Sequence, residues 1–244
     1  MKVIKNINIK LKHIEQPIDA LDADLKTIEP PLNPKSGAYY IVGRPSSGKT
    51  SLWLSLILTK GHGYWRKFDK IFLFSNSLAT LPLDKLKLPE EQVFNEYNED
   101  ELFQIIEDEK ESAENNNILI ILDDCIKDLK GGGRFNKLIL NRRHIIQNIE
   151  NDKIKSGVML FLTSQVYNLL ALQVRKGISD FILFKTSNKQ ELDAIKSELM
   201  YDLTPQQQNE VLNLAWGKKY GFLYIKINNN IDYKYFSNFD LIKI

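Results

Sequence analysis

Tyr39 to Thr50 reads YYIVGRPSSGKT: two aromatic and two aliphatic residues run into a loop with Gly at both ends, then Lys and Thr. Gly43, Gly48, Lys49 and Thr50 fit the spacing G-x-x-x-x-G-K-[ST]. In that pattern glycine frees backbone N–H groups to wrap a phosphate, the lysine reaches the outer phosphates, and the hydroxyl binds Mg²⁺. The flanks agree. AYYIV before the loop reads as a buried strand, and SLWLSLILT after it has helical spacing, with Leu52, Leu56 and Leu58 apolar. A helix starting at the loop turns its positive end toward the phosphates. The reading is a nucleotide site whose cradle is Gly43, Arg44, Pro45, Ser46, Ser47, Gly48, Lys49, Thr50 and Ser51. The alternative, an ordinary Gly/Ser-rich turn, explains neither flank.

Working outward, the 244 residues suffice for one α/β domain with a substantial core. Lys and Arg number 33 against 31 Asp and Glu, so the net charge of +2 names no partner and any basic surface must be local. The single cysteine, Cys125, rules out an internal disulfide and fits a reducing compartment. No secretory apolar segment follows Met1, and the longest apolar stretch, around Ser51–Thr59, is too short to span a bilayer. These features predict a soluble intracellular protein with no membrane anchor.

Residues 1–36 carry a short strand, VIKNINIKL, and an arm containing EPPLNPKSG; residues 37–244 read as one globular unit. KIFLFS, NILIILDD, GVMLFLTSQ, DFILFK and a last strand YGFLYIKI are continuous apolar runs. Between them lie an acidic amphipathic helix from Asn98, with Leu102, Phe103, Ile105 and Ile106 inward, and a helix NKQELDAIKSEL. A third helix opens with Thr204 as cap, Pro205 first and Gln207 closing a capping box. Strands buried on both faces and alternating with helices predict an α/β, RecA-like P-loop fold: a mostly parallel central sheet flanked by helices. Ligands of such sheets sit at the carboxyl ends of the strands, where Thr50, Asp123, Asp124 and Gln165 fall.

Asp123 closes an apolar strand and can hold Mg²⁺ beside the Thr50 hydroxyl. Asp124 is then placed to orient and polarise an attacking water, and Gln165 to sense the γ-phosphate or hold that water. KIFLFS before the acidic pair and VMLFLTS after it suggest the P-loop division with an extra strand between the P-loop strand and the Asp strand. Ser187–Glu191, SNKQE, imitates a guanine-reading Asn-Lys-x-Asp motif but carries Glu at its end; Asn188 and Lys189 read instead as a helix start. KDLKGGGRFNKLILNRR (127–143) reads as a flexible cationic loop suited to phosphate tracking, with Lys130, Arg134 and Lys137 as DNA contacts. Arg142, Arg143 and Arg175 are candidates for an arginine that stabilises transition-state charge from a neighbouring subunit.

FDKIFLFSNS, ILIILDD, NRRHIIQN, GVMLFLTSQVYNLLALQVRKGISDFILFK and GFLYIKI occur in the order found in poxvirus-type genome-packaging ATPases. Over roughly residues 15–230 the chain resembles that family, which belongs to the FtsK–HerA division and occurs in large DNA viruses and virophages. The resemblance implies that ATP, with Mg²⁺, drives double-stranded DNA into a preformed capsid, and that identical subunits form a ring at the capsid vertex. The setting implied is the host-cell cytoplasm or a viral factory, or the virion itself. Lys49 and Thr50 match the family's P-loop, Asp123 and Asp124 its acidic pair, Gln165 its sensor, Arg143-His144 its Arg-His element and Arg175 its late arginine. The second acid is Asp where relatives outside the viral group usually carry Glu, and KGIS follows Arg175 where an Asn is expected. A motor, an ATP-gated DNA- or capsid-binding switch and a GTPase are the activities this sequence leaves to be separated.

Overall fold

The computed structural model describes residues 28, 30–33, 36–112, 114, 116–126, 129, 133–142, 145–146, 149–150, 153–154 and 157–244. The expected strand near the amino terminus, and Lys127, Lys130, Arg143 and His144, lie outside the described residues.

The P-loop strand β1 (Ala38–Val42) is followed by helix α1 (Lys49–Leu58) and strand β2 (Lys70–Ser75). Next come a short helix α2 (Leu83–Leu86), strand β3 (Val93–Phe94), helix α3 (Glu99–Glu111) and strand β4 (Asn117–Asp123). Helix α4 (Arg134–Asn141) precedes a small hairpin, β5 (Ile149–Glu150) and β6 (Lys153–Ile154), and strand β7 (Gly157–Ser164). A one-turn helix α5 (Leu172–Arg175), strand β8 (Asp180–Phe184) and helices α6 (Lys189–Leu199) and α7 (Pro205–Trp216) follow. Strands β9 (Phe222–Lys226), β10 (Tyr235–Ser237) and β11 (Asp240–Leu241) end the chain.

Nine strands form one sheet in the order β3-β2-β4-β7-β1-β8-β9-β10-β11. From β3 to β8 every pairing is parallel; β9, β10 and β11 add antiparallel. The extra strand expected between β1 and the Asp strand β4 is β7. Burial explains the continuous apolar runs. Successive residues of β1, β4 and β7 enter two different cores: Tyr40, Ile120 and Leu160 join one, and Tyr39, Ile121 and Phe161 the other. Helices α3, α4, α6 and α7 cover the first face, while α1 covers the second through Trp53, Leu56 and Ile57. Leu52 and Leu58 are only partly buried, so the helix is rotated from the face the leucines alone would give.

Three sequence expectations change here. Residues 134–141, read as part of a cationic loop, form α4, because Phe135, Leu138 and Ile139 fall on one helical stripe and are buried. On α3 only Leu102 and Ile106 are fully buried, with Phe103 and Ile105 at the margin. The strand at Phe222 is not the last: the chain turns back through Asn238 (φ 55°), whose Oδ1 accepts from the Phe222 N–H at 3.1 Å, and extends the sheet. Residues 30–33 are tied to the sheet as well, since Tyr224 and Lys226 both donate to the Pro31 carbonyl.

Candidate functional site

The loop leaves β1 under tension of space. Gly43 still donates its N–H to Ser164 of β7 at 3.0 Å, and a Cβ there would lie 2.4 Å from Ser47 Oγ and 2.8 Å from Phe184 Cβ. The loop turns back through Ser46 (φ 62°) and enters α1 through Gly48 at φ 105°, a left-handed conformation that glycine adopts without penalty. No side chain caps α1, and its first turn carries no acid. Its leading N–H groups and dipole are therefore left for an anion from outside the chain. Ser47 Oγ is buried without a hydrogen-bond partner. An uncapped helix start, a Gly-bounded concavity and an orphaned hydroxyl are what a phosphate cradle requires, so the residues fit a nucleotide's phosphates.

Lys49 is buried at the base of this cradle, its Nζ donating to the carbonyls of Gly43 (2.7 Å) and Arg44 (3.4 Å). Burial pulls its ammonium below the ordinary lysine value, against the attraction of Asp124 and Asp123. Arg44 points the other way, 2.5 Å from Ser187 Oγ.

Asp123 ends β4 and is 3% exposed. Its Oδ1 accepts from Thr163 Oγ1 at 2.8 Å and from Trp53 Nε1 at 3.3 Å, and its Oδ2 from Ser75 Oγ at 3.3 Å. Desolvation raises its pKa above the usual carboxylate range, and the donors from Thr163, Trp53 and Ser75 only partly offset this. A cation is the natural counter-charge for such a group, and the Trp53 bond ties it to α1, the helix whose first turn presents Thr50. That donor set, an anchored carboxylate and a hydroxyl, fits a hard divalent ion.

Asp124 takes the left-handed region (φ 54°) and is half-buried. Its N–H donates to Thr163 Oγ1 at 3.0 Å, and Gln165 Nε2 donates to its Oδ2 at 3.2 Å. One threonine hydroxyl thus orients both acids. Asp124 and Gln165 border a concavity of about 420 Å³ with Asn76 and Ser77, at the carboxyl ends of β2, β4 and β7. A second, of about 580 Å³, lies along the P-loop and is also lined by Phe184, Tyr220 and Phe222. Thr163, Trp53 and Ser75 were not read from the sequence. The signal for Thr163 was its place one strand position before Ser164 and Gln165; nothing in the sequence distinguishes Trp53 from an ordinary core residue.

The arginines divide. Arg175 is 8% exposed, paired with Glu198 at 2.7 Å, bonded to the Leu170 carbonyl, and its guanidinium lies 4.8 Å from the Tyr167 ring centroid. Arg142 is buried and donates to the carbonyls of Ser36, Ile139 and Gly177. Both guanidinium groups are spent on holding segments of this chain together, which argues against the expected role at a neighbour's phosphate. Arg134 sits on the first turn of α4, 2.6 Å from Asp100 and over the Phe103 ring, and Lys137 is exposed one turn on. Asn188 caps α6, accepting from the N–H groups of Gln190 and Glu191, while Glu191 accepts from Thr186 and Tyr167. Ser187–Glu191 is a helix start.

Fold and loop together define the class: this is a P-loop NTPase fold with an additional strand between the P-loop strand and the acidic strand. No family model and no curated protein matches the chain. Among solved structures, the genome packaging NTPase of Sulfolobus turreted icosahedral virus 2 in complex with AMP is similar to it at 18% identity, with a TM-score of 0.58 over 86% of this chain and 100% of that one. The ATPγS complex of the same viral protein gives 19% identity and a TM-score of 0.54 over the same shares. The pCW3 conjugation coupling protein TcpA in its monomer form with ATPγS gives 16% identity and a TM-score of 0.54, over 84% of this chain and 61% of that one. At these identities the likeness is one of fold.

Proposed function

We propose that residues 37–244 form one ATPase unit of a homo-oligomeric ring that moves double-stranded DNA into a viral capsid. The observation that carries the proposal is the junction at the end of β7: Thr163, Ser164 and Gln165 sit between the P-loop strand and the Asp123–Asp124 pair and bond to both sides. The order of motifs along the chain, and a fold shared with a viral genome packaging NTPase, support the choice of substrate. Bound ATP supplies the phosphoryl group, and Mg²⁺ supplies neutralisation of its charge.

The chain's own residues have the following parts. The N–H groups of Gly48, Lys49 and Thr50 at the start of α1 and the Lys49 ammonium hold the outer phosphates. The Thr50 hydroxyl and Asp123 hold the metal. The Asp124 carboxylate accepts a proton from the attacking water, and the Gln165 amide, already bonded to it, fixes the water's position. Arg134 and Lys137 on α4, with Lys130, offer sequence-independent contacts to DNA phosphates.

The deciding experiment measures ATP turnover with and without long double-stranded DNA. A motor is expected to be stimulated by DNA, and Lys49→Ala to be inactive in both conditions. Turnover indifferent to DNA in the wild-type chain would assign it instead to an ATP-gated binding switch.

A further inference from the structure

The wall of the P-loop concavity has a chemistry of its own. Its volume of about 580 Å³ suits a whole nucleotide rather than a phosphate alone. Its polar side chains lie in Ser46–Ser51, apart from the Tyr220 hydroxyl; the remainder is Leu52, Phe184 and Phe222. Among the described residues no carboxylate or carboxamide lines it, so no side chain of that kind is there to read the hydrogen-bonding edge of a base.

Among the described residues Tyr220 is the one aromatic with a left-handed backbone. The residue is 59% exposed, and its φ of 62° is a conformation that costs free energy in a bulky residue. The turn holding it is fixed on both sides. Gly221 donates to Lys218 at 3.0 Å, and a Cβ on Gly221 would meet the Ala215 carbonyl at 2.4 Å. This strained turn delivers the ring to the P-loop: a Cβ on Gly48 would lie 3.7 Å from Tyr220 Cδ1 and 3.6 Å from Phe184 Cε1. The core gains little from a residue so exposed; the Lys219 ammonium lies 5.0 Å from the ring centroid on one side, and the ring borders the phosphate end of the concavity.

We infer that the base of the bound nucleotide stacks on Tyr220 and is held by its face rather than by its edge, so that the site takes adenine and guanine nucleoside triphosphates with little discrimination. The inference rests on the nucleotide-site reading above and adds to it the manner of base recognition. Stacking tolerates any base, because every base has a π-face. Strong rejection of a wrong base needs buried polar groups that the wrong base leaves unpaired.

The test is calorimetric titration of the full chain, with Mg²⁺, using three probes: the β,γ-methylene analogues of ATP and of GTP, and inorganic tripolyphosphate. The two analogues should bind within about tenfold of each other. Tyr220→Ala should weaken both by roughly tenfold and leave tripolyphosphate binding unchanged, whereas Tyr220→Phe should bind like the parent. Unchanged tripolyphosphate affinity also certifies that the variant is folded. Discrimination beyond about a hundredfold by the parent chain, or analogue affinities unmoved by Tyr220→Ala, would overturn the inference while leaving the nucleotide site standing. If none of the three probes binds, the nucleotide-site reading fails and takes this inference with it.

Discussion

Asp123 and Asp124 adjoin in sequence, yet their surroundings give them opposite characters. Asp123 is enclosed, with three donors and a raised pKa; Asp124 has turned through a left-handed residue to the solvent side, where Gln165 meets it. The buried charge of Asp123 is a cost to the fold. A carboxyl whose folded pKa lies above its unfolded value favours the protonated form in the native state. Its contribution to stability is therefore greatest below the ordinary aspartate value and declines as pH rises through the folded one. Asp123→Asn removes that penalty and preserves an acceptor for Thr163 or Trp53. The variant is expected to melt at or above the parent's temperature at pH 8, with the advantage vanishing in acid. Its turnover should fall by roughly a hundredfold or more, because the metal loses its carboxylate. Melting curves at pH 8 and pH 4 beside ATPase rates check both halves. A variant less stable at pH 8 would mean that Asp123 holds the fold rather than a metal.

At the scale of elements, caps and stripes decide what forms. Asn188 accepts from Gln190 N at 2.9 Å and Glu191 N at 3.3 Å, starting α6. Asn188→Ala is expected to cost about 1 kcal/mol by denaturant unfolding, with Asn188→Asp restoring most of it. The preference between ATP and GTP should be the same in both variants; a change there would return this segment to guanine reading. Capping chemistry of this kind was legible because it is local: Thr204 and Gln207 of α7 form the reciprocal pair their spacing predicts. Helix α4 was not legible in the same way. Three glycines and a run of cations around residue 134 carry a loop signature. Only burial of Phe135, Leu138 and Ile139 against the sheet makes a helix worth its conformational entropy.

At the scale of the whole molecule, the question is where the last positive charge comes from. Of the three arginines singled out by sequence, Arg142 and Arg175 are bound to partners within the chain. Arg143 is then the residue to test as the cation supplied by a neighbouring subunit. Arg143→Ala subunits should bind ATP without turning it over, and Lys49→Ala subunits should do neither. Mixed, some interfaces would join an intact P-loop to an intact Arg143, so part of the activity should return. Specific activity should also rise with protein concentration. A mixture that stays inactive while both variants still assemble would refute the shared site.

The sequence by itself determined the glycine-bounded loop between strand and helix, the parallel strands and the acidic pair at a strand's end, because each is written in adjacent residues. Glycine spacing fixes the cradle, unbroken apolar runs demand burial on both faces, and a carboxylate at a strand's end has few other places to go. Tertiary structure alone decided what surrounds them. The order of the sheet sets β7 between β1 and β4, and only that adjacency lets one hydroxyl, on Thr163, bond to Asp123 and to Asp124, 40 and 39 residues away. It also withdrew Arg142 and Arg175 from the surface and brought Tyr220, far along the chain, against Gly48. Hydrogen bonds and ring contacts act over a few ångströms, and which residues come that close is set by the packing of the whole sheet.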